Sequence, residues 1–236
     1  MEYGSMILKK EVDNARMRME HLNRREKAAY ILHYYWLWFG SALGAIILAV
    51  YLIYHVFFTV KENWFYGVFV NLLEPAIAAD SSFYDGFVEY GDFDLSEKNV
   101  VFNTSTYFDA TQSGGTNNSY YQAFVAMIES GDLDTCVMEK DNLIKIGESG
   151  RLLDLSSAKG KEFYEKYGSR LIYCTPYDTD YSEDQVPVGI DISDSILMTE
   201  YHLYEEADGC ALGIGAYASN LDAVMTFLDY IEVEAD

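Results

Sequence analysis

Beyond residue 61 the sequence carries one histidine, His202. A histidine-rich zinc site and an H-E-x-x-H helix both need a second imidazole, so neither is available there. His202 lies between Tyr201 and Tyr204 in a segment that reads as helix, and it reads as a surface or packing residue. No G-x-S-x-G, P-loop or G-x-G-x-x-G follows a strand; Gly213-Ile214-Gly215 sits inside an apolar strand and lacks the third glycine. The run Asp178 to Asp184 offers the oxygen ligands calcium takes, but Glu183 stands where an EF-hand turn needs Gly, and the run reads as an acidic solvated loop. Cys136, Cys174 and Cys210 each fall in a segment predicted to be a buried strand. An odd count leaves at least one thiol free. The three read as buried free thiols, with a bridge between neighbouring strands as the alternative. No nucleophile–base pair is visible, no metal or cofactor is implied, and the chain is read as a non-enzyme.

The elements that would position any site follow from patterning. Asn99 to Asp109 is rich in β-branched and aromatic residues and predicts a strand. Asn118 or Ser119 caps a helix over 120–130 that stops at Gly131-Asp132. Leu133 to Met138 predicts a short buried strand, 140–148 and 159–167 predict helices, and 170–174, 186–192 and 210–218 predict extended segments. A last helix starts after Ser219. Alternating strands and helices imply an α/β domain with a largely parallel sheet. In such a sheet ligands bind at the carboxyl ends of the strands, near helix N-termini. That logic selects the loop from Tyr107 to Ser119, with Tyr107, Asn117, Ser119 and Tyr120 as candidate contacts, together with Glu139 and Asp141 after the second strand and Asp191.

Charge divides the chain more sharply than composition does. Its 236 residues carry a formal charge of −22, which excludes nucleic acid as a partner because phosphate binding needs a basic footprint. Residues 1–27 hold seven basic and five acidic residues, 28–60 none of either, and 61–236 nine basic and 33 acidic. Residues 34–58 read as a transmembrane helix with aromatic residues at both ends, since about 20 apolar residues cross a hydrocarbon core. The excess of Lys and Arg before it predicts a cytoplasmic N-terminus and an extracytoplasmic C-terminal domain, with the apolar run as an uncleaved signal anchor. Within it Gly40 and Gly44 form G-x-x-x-G, and Ser41 and Ala45 continue a row of small residues suited to close helix packing. Leu8, Val12, Ala15, Met19 and Leu22 recur at helical spacing and predict an amphipathic juxtamembrane helix within residues 1–33. Residues 59–96 are expected to form a helical connector, with helix over 63–79, and 97–236 the extracytoplasmic α/β domain.

Residues 126–138, ending in Gly131-Asp132-Leu133-Asp134-Thr135-Cys136-Val137-Met138, and Gly150-Arg151-Leu152-Leu153-Asp154-Leu155 resemble bacterial extracellular solute-binding proteins. Val186 to Asp191 is similar to the strand that crosses between lobes in that family. Residues 212–231, with Asn220, Ala223, Phe227, Leu228 and Tyr230, are similar to the strand and helix that return near its end. The resemblance covers about residues 97–236. It implies a Rossmann-like lobe of the type 2 periplasmic-binding-protein fold in a shortened, transmembrane-anchored form. Only 18 residues (192–209) stand where a second lobe would be inserted, and Leu133 replaces the usual Pro before the strand Asp. The function implied is that of receptor or accessory subunit of an ABC-type importer in the cell membrane. A scaffold or sensor module that kept the fold is the alternative. The partners implied are the lipid bilayer, ABC permease subunits or another transmembrane helix, and a sugar, peptide or amino-acid ligand.

Overall fold

The computed structural model describes residues 14, 17, 20, 22–58, 61–74, 76–177 and 185–232. Most of the expected juxtamembrane stripe, Pro75 and the acidic run 178–184 lie outside these. The chain divides into two units, one up to Val60 and one from Lys61.

The first unit is built on helix α1 (Arg24–Phe58), 35 residues long. Asn23 opens it: its Oδ1 accepts from the Arg25 and Glu26 amides at 3.0 Å, and Glu26 accepts in return from the Asn23 amide at 2.9 Å. This reciprocal box satisfies donors that a helix start leaves orphaned. The helix runs without a break through the expected boundary between residues 33 and 34. Its stretch Trp36–His55 is long and apolar enough to cross a membrane by length and composition, with no residue buried. Inside that stretch the Ser41 hydroxyl donates to the Leu37 carbonyl at 2.7 Å, which satisfies it within its own helix. A side-chain Cβ built on Gly40 or Gly44 would meet no atom within 4 Å.

The second unit is α/β, around one six-stranded mixed sheet of order β2-β1-β3-β6-β5-β4. The strands are β1 (Asn63–Val70), β2 (Asn99–Thr106), β3 (Thr135–Met138), β4 (Leu171–Cys174), β5 (Val186–Asp191) and β6 (Ala211–Ile214). The helices are α2 (Ser82–Tyr90), α3 (Ser119–Ser130), α4 (Lys140–Glu148), α5 (Lys161–Tyr167), α6 (Ile196–Thr199) and α7 (Leu221–Ile231). β1 pairs parallel with β2 and β3, whereas β3–β6, β6–β5 and β5–β4 are antiparallel. The expectation of a largely parallel sheet therefore holds for one half. Helices α2 and α3 carry the chain back between β1, β2 and β3, and such crossovers make strands parallel. No helix intervenes among the described residues between β4 and β5, so they pair as antiparallel neighbours.

Two further expectations are corrected. Residues 63–79 are not a helix: they begin with β1, next to the centre of the sheet. A strand buried on both faces reads as a continuous apolar run, with no period to separate it from helix. The α/β unit accordingly starts at Lys61, and the 59–96 connector dissolves into it. His202 is not helical either, since it follows α6 with φ +47°.

β1 builds both cores. Phe65 and Phe69 join Phe83 and Phe87 of α2, Phe102 of β2 and Phe227 of α7 on one face. Val68 and Val70 pack with Phe124 and Ile128 of α3 and Leu143 and Ile146 of α4 on the other. Cys136, Cys174 and Cys210 are buried and free.

Candidate functional site

Asp134 organises the end of the sheet opposite the cleft described below. It is 1% exposed. Its carboxylate accepts from the Tyr66 amide at 2.9 Å, the Asn220 amide at 3.2 Å and the Asn220 side-chain amide at 3.1 Å. Burial outweighs these bonds and pushes its pKa up. The bonds join the residue just before β3 to the residue that opens α7, fixing the strands' register against the last helix.

At the carboxyl ends of β1, β2 and β3 lies a cleft of about 400 Å³. Asn71, Asp109, Glu139, Lys140, Asn142 and Asp208 are among the residues lining it. Each wall follows from a strand end. Asn71 comes one residue after β1 and has φ +58°, a left-handed conformation that Asn tolerates. Its amide donates to the Phe108 carbonyl at 2.8 Å and accepts from the Phe108 N–H at 3.1 Å. The Asn71 side chain thus imitates one more rung of the β1–β2 ladder and holds the loop after β2. Buried Asn142, in the first turn of α4, holds the same loop from below, accepting from the Ala110 N–H at 2.9 Å and donating to the Phe108 carbonyl at 3.2 Å.

Glu139 is half-buried between these two asparagines, with Asn71 Nδ2 at 3.3 Å from Oε2. Burial raises its pKa, the asparagine bonds oppose the rise, and the nearby charge of Asp208 adds to it. Lys140 spans from the cleft to Asp191 at the end of β5, Nζ to Oδ2 2.6 Å. Burial raises the Asp191 pKa, but the bonds from Lys140 and Ser193 outweigh it and hold the carboxyl below its ordinary range. The lysine stem runs over Gly209 (φ +64°), where a Cβ would stand 2.7 Å from Lys140 Cε. The positive φ favours glycine there, and any Cβ would also press the lysine stem aside. Asp109 is held low in pKa chiefly by the Thr111 hydroxyl, against burial.

Of the residues selected from the sequence, Glu139 and Asp141 line this cleft and Asp191 reaches it through Lys140. Tyr107 and Tyr120 are not among its lining residues; they face one another edge to face at 6.1 Å, each about half exposed (49% and 50%). Asn117 and Ser119 are exposed, and neither lines the cleft. The cap of α3 is Asn118, whose Oδ1 accepts from the Tyr121 N–H at 2.7 Å. That end of the loop serves the helix start, and only its beginning, with Asp109 and Thr111, turns to the cleft.

Comparison with protein-family models, curated proteins and solved structures found no match. Among the described residues no group of three or more His, Cys, Asp or Glu side chains is arranged to hold a metal ion. The cleft presents amides and carboxylates fixed at strand ends, with its one lysine already paired to Asp191. Sequence reasoning missed Asn71 because β1 was read as helix. Asp208 was missed because it precedes an extended segment, and only the antiparallel course of β6 brings that end to the cleft. Lys140 had a usable signal, since it stands next to Glu139, two residues after β3 ends at Met138.

Proposed function

We propose that the chain is a single-pass, membrane-anchored protein whose C-terminal α/β unit binds a small solute outside the cytoplasm, as receptor or accessory subunit of an ABC-type importer. The observation that carries this reading is the cleft at the carboxyl ends of three parallel strands, the place where open α/β sheets bind ligands. Its size falls in the range of small-molecule sites, roughly 300–1,000 Å³. The likeness to one lobe of a solute-binding protein draws support from two features. The chain returns late, as β6, between β3 and β5 and antiparallel to both. The two segments that carry the resemblance also meet, through Asp134 and Asn220. The bilayer-crossing role of α1 and a cytoplasmic N-terminus draw support from its exposed apolar stretch and from the basic flank before it.

The test is thermal denaturation of the full chain in lipid nanodiscs against a library of sugars, amino acids and short peptides. A ligand at a hundred times its Kd stabilises by about 2.7 kcal/mol, several degrees in Tm. The expected result is a shift that Glu139→Gln diminishes. A library without a single shift removes the receptor reading.

A scaffold module that contacts other membrane proteins is the second reading, favoured by the open surface over Gly40 and Gly44. Gly40→Ile with Gly44→Ile should then release co-purifying membrane partners; an unchanged set of partners counts against it.

A further inference from the structure

We infer that the cleft is one end of a longer groove that takes an extended peptide carrying both basic and apolar residues. The inference rests on the receptor reading and names the ligand class for that site. A second hollow of about 820 Å³ adjoins the cleft at Ala207, which lines both. Leu73, Met198, His202, Tyr204, Glu205 and Glu206 complete it. The wall common to the two hollows is fixed. The Leu73 N–H donates to the Leu203 carbonyl at 3.1 Å, tying the segment after β1 to residues 203–208. Buried Tyr204 donates its hydroxyl to the Val137 carbonyl of β3 at 2.9 Å.

The two hollows differ in character, and that difference selects the occupant. Leu73 presents an apolar surface, 55% exposed, in the second hollow. Exposed Glu205 and Glu206 line the same hollow, and Asp208, Glu139 and Asp141 line the first. Besides His202, Lys140 is the one basic side chain among the described lining residues, and Asp191 already engages it. A bound chain would therefore meet an apolar seat together with carboxylates in one hollow and further carboxylates in the other. Lys or Arg beside Leu-like residues complements that lining, and an acidic ligand is repelled by it. Together the hollows exceed what a single amino acid fills, and an extended peptide gains about 3.3 Å per residue along such a groove.

Calorimetry on the full chain in phosphatidylcholine nanodiscs tests this with three probes: blocked Lys-Leu-Lys-Leu, blocked Glu-Leu-Glu-Leu and free lysine. The basic peptide should bind at least tenfold more tightly than either of the others. Glu205→Gln with Glu206→Gln, and separately Leu73→Asn, should each weaken it about tenfold. Glu162→Gln with Glu165→Gln on α5, an equal change of charge on exposed positions elsewhere, should leave it unchanged. Equal weakening by the α5 pair would reduce the binding to diffuse attraction by a −22 chain and overturn the groove. Equal affinity for free lysine or for the acidic peptide would overturn it too. If the basic peptide fails while another library member still raises Tm through Glu139, this inference falls and the receptor reading stands. If nothing binds, both fall.

Discussion

Asp134 shows how much a single buried carboxylate can carry. Its oxygens serve the Tyr66 and Asn220 amides and the Asn220 side chain, all far from it in sequence. Asp134→Ala leaves these donors without partners in a site closed to water, where each unsatisfied group costs about 1–3 kcal/mol. A loss of about 3 kcal/mol in urea unfolding is expected, with Asp134→Asn less damaging because one acceptor survives. An unchanged midpoint would remove Asp134 from this role. Glu139 gives a prediction with the opposite logic. Its folded pKa lies above the ordinary 4.5, so the folded state holds the proton more tightly than the unfolded chain. Stability from this residue is therefore full below pH 4.5 and falls as pH rises through the raised folded value. Glu139→Gln keeps an acceptor for Asn71 and does not ionise. The variant should match the wild type in acid and become the more stable of the two as pH rises through that window, measured by unfolding at stepped pH. The sequence pointed to Glu139 by its place after a buried strand. It could not point to Asn71, whose importance lies in two bonds to a backbone 37 residues away.

At the scale of elements, the packing of α4 on the sheet is set by one absent side chain. A Cβ on Gly147 would stand 2.6 Å from Val188 Cγ2 and 3.1 Å from Cys174 Sγ. Gly147→Ala should gain up to about 1 kcal/mol in helix propensity and lose more to overpacking, for a net destabilisation of about 1–2 kcal/mol. In a Val188→Ala background the same substitution should turn neutral or stabilising. Failure of that rescue would mean the contact is not what sets the distance. Helices with caps and clear apolar faces were legible from sequence: α3 begins at Asn118 and ends at Gly131, whose φ of +78° is the left-handed turn that glycine permits. β1 was not legible, because Trp64 to Val70 is apolar on both faces and a strand between two helical layers needs no alternation. The mixed pairing was hidden for a related reason. Local pattern reports that residues 186–191 and 211–214 are extended, and says nothing of which neighbour each will take.

For the whole molecule, the partition of charge bears on the proposed topology. Seven basic residues precede an uncharged run of 33, and 33 acidic residues follow it. With the N-terminus inside, Ser113→Cys should react with a membrane-impermeant maleimide on intact cells, and Ser5→Cys only after lysis. Ser113 is exposed, and the three native thiols are buried, which keeps background labelling low. The reverse pattern would invert the proposed orientation and move the cleft to the cytoplasmic side.

Three things were settled by the sequence alone: one stretch apolar enough to span a bilayer, the division of charge on either side of it, and an α/β domain of alternating strands and helices. Each depends on composition or local period, which neighbours along the chain determine. The mixed strand order, the place of β1 between β2 and β3 and the cleft itself were decided by tertiary structure. The cleft joins Asn71, Asp109, Glu139 and Asp208, four residues from four separate stretches of chain. They meet because β1 and β3 bury both faces between helices and end on the same edge, where Lys140 also pairs with Asp191. Burial and pairing of that kind are properties of the packed sheet, and no window of sequence contains them.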